Sequence, residues 1–386
     1  MPRFRKFLMI ATGVVVALAC VAVAAVRAAA PRGVAGSAPQ HAFTPTADTK
    51  RAGAAERWRT SLPVPVVGLP EADVNGIVVT AGESEVVALA NDGRVQWTTA
   101  VAGALVNAPR LDADLVFVAA KRAVAALRRD SGAVAWAVTS AADGAPDDRA
   151  NRPVVVGDAV VVTTASGRAR GLDRSTGAAR WTVDLPTAVT SEPAAGDGVV
   201  VVVGIAQWWA LDPATGATLW SGDLGTFGTS SPAVFNDGER WLAAVASSGH
   251  LVAVDAHTGQ PVWEAEAEQS EPFQVPVATL AHELLVPDHW GRMTAYDVHD
   301  GHALWRVHGA DGVAEFGQPV EVGPRTVALP LDQGGPRIGS PGGSSTLRLP
   351  ASGHGVVATT DGALVVTTWG GEVNYLVAYD LAGLNR

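Results

Sequence analysis

Across 386 residues the chain carries 38 acidic and 28 basic side chains, a formal charge of −10, and 48% of its residues are hydrophobic. That length and apolar content support a sizeable core, and the acidic balance argues against non-specific binding to nucleic acid or anionic lipid. A single cysteine, Cys20, excludes an internal disulfide framework and any cysteine-rich metal site.

Residues 1–30 form a separate compositional block. Arg3, Arg5 and Lys6 precede residues 7–26, which hold no charge. As a helix that run would span roughly 30 Å, the hydrocarbon thickness of a bilayer. Basic residues on its N-terminal side keep that end in the cytoplasm. The pattern predicts a single N-terminal membrane anchor with the remainder outside the cytoplasm. The alternative is a cleaved secretory signal, cut at Ala24 or Ala28, that leaves the remainder secreted or periplasmic. A lipoprotein signal ending at Cys20 fits less well, because Ala17 stands where leucine is usual. Residues 31–55, rich in Ala, Pro, Thr and Gly without periodicity, read as a flexible stalk. Residues 56–386 form the third region. Beyond residue 30 the chain carries 38 acidic residues against 24 basic ones.

That third region is repetitive. Asp173, Thr176 and Gly177 lead to Trp181; Asp212, Thr215 and Gly216 lead to Trp220; Asp255, Thr258 and Gly259 lead to Trp263. Asp297 and Gly301 lead to Trp305, with Asp300 in place of Thr. Weaker copies run through Ser131 and Gly132 to Trp136 and through Asp92 and Gly93 to Trp97. In each copy a small or apolar run reads as a strand, Asp seeds a turn, and Gly supplies the left-handed backbone position that closes a bulged hairpin. Trp then falls four residues along the second strand, which suits a packing element between adjacent units. Trp58, Trp97, Trp136, Trp181, Trp220, Trp263 and Trp305 stand 39, 39, 45, 39, 43 and 42 residues apart. A period near 40 with several short strands is the pattern of propeller blades.

Pro65, Pro109, Pro153, Pro193, Pro232, Pro276 and Pro319 recur in phase. Proline is tolerated at a strand's first residue, so each is expected where an innermost strand begins. Near the C-terminus Asp380 and Gly383 repeat the turn without a following Trp, while Trp58 has no turn before it. The strand around Trp58 is therefore expected to complete the last blade and close the ring, removing exposed sheet edges. The result is an all-β propeller of four-stranded antiparallel blades. Eight blades are favoured and seven remain open, because regularity weakens after Trp305. Residues 318–322 and 325–331 read as two strands of a seventh blade, 333–345 as a Gly/Ser/Pro-rich insertion, and 346–353 as a decayed third strand and turn.

The Asp-x-x-Thr-Gly-x-x-x-Trp repeat resembles the quinoprotein-type, or PQQ-like, propeller repeat over residues 56–386. The resemblance implies the propeller fold and says less about activity. The family includes quinone-dependent alcohol and glucose dehydrogenases. It also includes non-catalytic members such as the lipoprotein subunit of the outer-membrane-protein assembly machinery, and this chain resembles that branch more. The dehydrogenases hold pyrroloquinoline quinone and calcium. Glu192 and Asn107 offer oxygens to calcium, but the sequence shows no ligand set that matches the family's, and it lacks the adjacent cysteines of many alcohol dehydrogenases. No cofactor is therefore expected, and no zinc-spaced cluster, phosphate loop or nucleophile elbow is present.

By family geometry, the loops between second and third strands share a binding face with the connections between blades. There the candidates are Asp288, His289, Trp290 and Arg292 in the sixth blade and Trp369 in the last. His250 and the Lys121–Arg122 pair lie in analogous loops. Trp290 and Trp369 fall outside the repeat's own Trp set and suit a peptide, a sugar ring or a partner's side chains; plugging the channel mouth is the plainer reading. Of the residues before the periodic prolines, Arg152 and Glu192 fall in successive blades and are candidates to pair at the channel end. The expectation is a non-catalytic scaffold that binds a protein or peptide. A glycan or small-ligand module and a quinone-dependent dehydrogenase are the alternatives.

Overall fold

A computed structural model describes residues 56–380, less connecting segments at 106, 140–148, 190, 226–229, 248, 267–277, 281, 288–291, 309–319, 324–325, 330–336, 340–346, 349–354, 359–361 and 368–373. Among the described residues every regular element is a strand, and the strands form eight four-stranded antiparallel sheets. Seven sheets are consecutive in the chain, within residues 71–100, 110–139, 154–184, 194–223, 233–266, 278–308 and 320–348. The eighth combines Gly355–Ala358, Ala363–Thr367 and Asn374–Asp380 with Glu56–Leu62 from the other end of the chain. Trp58 pairs with Ala378 and Thr60 with Leu376 in that sheet, as the ring-closing expectation required. First strands of neighbouring sheets contact one another, including Glu71–Asp73 with Gly355–Ala358, so the innermost strands line one axis.

The core lies between blades. Val199–Val203 is an unbroken valine run because both its faces are covered. Val200 and Val202 pack towards the third blade, with Trp181 and Val161. Val199, Val201 and Val203 pack towards the fifth, with Ala243 and Val245. The two-residue alternation of a strand splits Trp208 and Trp209 in the same way. Trp209 joins the former cluster, and Trp208 the latter, where it meets Trp220 edge-on at 4.9 Å.

The Trp–Gly repeat is the joint between blades. Trp181 Nε1 donates to the Pro213 carbonyl of the next blade at 2.8 Å, and a Cβ on Gly216 would stand 2.5 Å from the Trp181 ring. The same arrangement joins Trp58 to Asn91 and Gly93, Trp97 to Arg129 and Gly132, and Trp136 to Arg174 and Gly177. It also joins Trp220 to Ala256 and Gly259, and Trp263 to Val298 and Gly301. Each of these glycines has positive φ, between 68° and 83°. Glycine is thus required twice, for the turn and for the ring lying against it. The residue paired across the hairpin from each Trp is Ala or Gly: Ala378, Ala88, Ala126, Gly171, Ala210, Ala253 and Ala295. Trp305 departs from the pattern. Its indole N–H turns to the Glu283 carboxylate of its own blade, at 2.8 Å.

The turn aspartates act as expected. Asp173 Oδ1 accepts the amides of Ser175 and Thr176, and Asp212 Oδ1 those of Ala214 and Thr215. Asp255 Oδ1 accepts His257 and Thr258, and Asp297 Oδ1 accepts His299. Asp380, whose turn partner Gly383 lies outside the described residues, instead meets Arg57 at 3.3 Å.

Two expectations need correction. The proline that precedes the first blade's inner strand is Pro70, followed by Glu71–Asp73; Pro65 belongs to the incoming connection, where its carbonyl accepts Gly82 N–H. In the seventh blade the stretch read as an insertion contains the third strand, Arg337–Gly339, and 346–353 contains the fourth, Leu347–Arg348, rather than a third strand and turn. Glycine and proline on either side of Ile338 hid a strand that owes its pairing to neighbouring strands rather than to its own propensity. Among the described residues no helix is long and apolar enough to cross a membrane, and residues 7–26 lie outside them.

Candidate functional site

The second-to-third-strand loops and the connections between blades do share one face. Lys121 N–H bonds the Ala104 carbonyl, Ala165 N–H that of Arg149, Ile205 N–H that of Ala188, and Ser230 N–H that of Ala246. The hairpin at Lys121 and Arg122 has only those two central residues, and Arg122 takes φ 66°. The turn at Ile205 and Ala206 places Ala206 at φ 58° and leaves Ile205 exposed. A non-glycine residue held at positive φ costs energy, so the surrounding hydrogen bonds must hold these two tips in shape. His250 sits at the fifth blade's tip, half exposed, with Nδ1 at 3.2 Å from Glu264. Asp288, His289, Trp290 and Trp369 lie outside the described residues, as does the side chain of Arg292.

At the channel end of this face, charges from four blades converge. Arg152 is buried and its guanidinium meets the Glu71 carboxylate of the first blade; it also donates from Nε (2.9 Å) and Nη2 (2.8 Å) to the Pro109 carbonyl. Glu71 takes a second guanidinium, Arg110, at 3.0 Å, and the Leu111 amide at 2.6 Å. Glu192 reaches Arg152 only at 3.8 Å. The expected pair therefore exists as the loose edge of a network centred on Glu71. Sequence reasoning missed Glu71 because it lies 81 positions from Arg152 and carries no local signal. Burial, with Arg152 nearby, lowers the Arg110 pKa against the opposing pull of Glu71 and Glu192. Beside this network Asn107 Nδ2 bonds the Ala150 carbonyl (2.8 Å) and Asn151 Nδ2 the Val189 carbonyl (3.2 Å), each reaching the next blade. Glu192 faces the Arg152 guanidinium, and the Asn107 side-chain nitrogen is committed to the Ala150 carbonyl. Among the described residues no group of three or more His, Cys, Asp or Glu is placed to hold a metal ion.

The opposite face carries the tight turns. Arg129 reaches Asp73 at 2.6 Å across one blade junction, and Arg174 meets Asp112 and Asp114 across the next. A shallow cavity of about 410 Å³ lies there, lined by Asp112, Asp158, Asp173, Arg174 and Arg180. Arg180 holds the Asp173 carboxyl well below the usual carboxylate range, assisted by the Ser175 and Thr176 hydrogen bonds. At the fourth junction His257 Nε2 meets the Asp197 carbonyl at 3.1 Å. In the sixth blade His299 Nδ1 bonds Asp297 at 2.9 Å, and its ring centroid is 5.8 Å from that of His282.

Four-stranded blades joined by a Trp ring against a turn glycine define a PQQ-like repeat propeller. The family model for the outer membrane protein assembly factor BamB matches residues 47–192 and 170–328, and the chain belongs to that family. BamB from Moraxella catarrhalis is similar in structure, with a TM-score of 0.68 at 19% identity over 84% of this chain and 99% of that one. The quinohemoprotein alcohol dehydrogenase ADHIIG from Pseudomonas putida HK5 has a TM-score of 0.67 at 14% identity, over 85% of this chain and 76% of that one. At such identities the two likenesses speak for the fold alone. No curated protein matches the sequence.

Proposed function

We propose that the chain is an exported, non-catalytic scaffold that binds a protein partner through its loop face during membrane-protein assembly. Membership of the assembly-factor family over most of the propeller carries this reading. The charge-free segment at residues 7–26, with basic residues before it, supports export and tethering to a membrane. The exposed tips at Lys121, Arg122, Ile205 and His250 supply a mixed basic and apolar surface on one rigid face, and Trp290 and Trp369 extend it in sequence.

The test is photocrosslinking in intact cells with a crosslinking residue placed at His250, and separately at Ser175 on the opposite face. A discrete adduct from position 250 that is absent from position 175 is expected, weakened by Trp290→Ala with Trp369→Ala. The same bystander pattern from both positions would overturn the reading.

A further inference from the structure

We propose that His282 and His299, on the turn face away from the loops, form a two-imidazole site for a borderline divalent metal ion such as Zn²⁺ or Ni²⁺. The two rings come from different turns of the sixth blade, and their centroids are 5.8 Å apart with planes inclined by 37°. At zinc–nitrogen distances of about 2.0–2.1 Å, two imidazoles on one ion have their centroids about 5–6 Å apart. The pair therefore needs ring rotation, and little backbone movement, to share an ion.

The supporting shell is in place. Asp297 Oδ1 accepts from His299 Nδ1 at 2.9 Å and from the His299 amide at 2.8 Å. A carboxylate only accepts, so it holds the proton of the neutral ring on Nδ1 and leaves the Nε2 lone pair facing outward. This is the carboxylate–histidine arrangement that orients metal ligands. The His282 carbonyl accepts Val298 N–H at 3.1 Å, which ties the first turn to the second. Both histidines are exposed, so an ion can reach them. Asp237 and Glu239 of the fifth blade add to the negative field of Asp297 at His299, which favours a metal cation. Imidazole donors select zinc, nickel or copper over calcium or magnesium. Among the described residues no third side chain joins the pair, so the remaining positions fall to water or an outside donor. His257, committed to Asp197, is the internal control.

Calorimetric titration of the full chain with ZnCl₂ at pH 7.5 tests the proposal, with circular dichroism checking the fold of each variant. Saturable uptake is expected, with one equivalent lost in His282→Ala and one in His299→Ala, no change in His257→Ala, and none taken up from CaCl₂. Asp297→Asn should weaken the same equivalent by about 10-fold or more. No saturable zinc uptake, or uptake altered in only one of the two histidine variants, would overturn it.

Discussion

Gly198 and Gly216 stand in the same blade with the same φ of 74°, yet they meet different surroundings. A Cβ at Gly198 touches nothing within 4 Å, whereas one at Gly216 runs into Trp181. Gly198→Ala should cost about 1 kcal/mol for the left-handed backbone alone. Gly216→Ala should cost about 1–3 kcal/mol more, because the ring must move. Urea unfolding of the two variants isolates the value of one Trp–Gly joint; equal losses would mean that the ring yields freely. The same scale governs Glu71. Removing it leaves Arg152 buried opposite a carboxylate 3.8 Å away, so Glu71→Ala should lose about 3 kcal/mol. Arg152→Met in the same background should restore part of that loss, as unfolding midpoints would show.

At the scale of the turn, Asp255 matters through its charge as well as its geometry. Burial raises its pKa, but the Thr258 and His257 hydrogen bonds outweigh it and leave the carboxyl depressed; at Asp173 the depression is stronger, set first by Arg180 and then by Ser175 and Thr176. A depressed carboxylate adds stability that is present above its unfolded pKa, near 3.9, and disappears as pH falls through the folded value. The thermal midpoint should therefore fall below about pH 4, and Asp255→Asn, which keeps an accepting oxygen, should flatten that fall. An unchanged acid limb would locate the sensitivity elsewhere.

These turns were also the most legible part of the sequence. Asp, Gly and Trp recur at fixed offsets because each serves a local turn and one neighbour, and six blades could be read from them. The small residue opposite each Trp was not read from the sequence: only the strand register shows that Gly171 and Ala210 leave room for the indole. The seventh blade was misread because it retains the pairing without the turn chemistry. The Glu71 network was illegible for a different reason: charges brought together from four blades leave no period in the chain.

For the whole molecule, the joints divide the ring unequally. Trp305 bonds within its own blade, and the sequence holds no tryptophan between it and Trp369. The seventh blade thus follows a Trp whose indole N–H stays in its own blade, and its own fourth strand, Leu347–Arg348, carries none. Hydrogen exchange should be fastest in peptides covering 320–348 and slowest in Val199–Val203 and Trp241–Ser247, since local opening follows the least-held unit. Uniform exchange across all blades would remove the distinction. The terminal blade should resist opening, because Trp58 and Thr60 both anchor to the Gly93 turn.

The pairing of Glu56 with Tyr379 brings the two ends of the propeller side by side, close enough for a short turn to splice them. New ends could then be cut anywhere around the circle. A rearranged chain opened between the fourth and fifth blades would still have Trp220 against Gly259 bridging the cut. One opened after Trp305 would sever the peptide where the indole N–H bonds within its own blade. The covalent link there does part of the holding that an indole N–H does at the other junctions, and the order of the gene decides which junctions have that link.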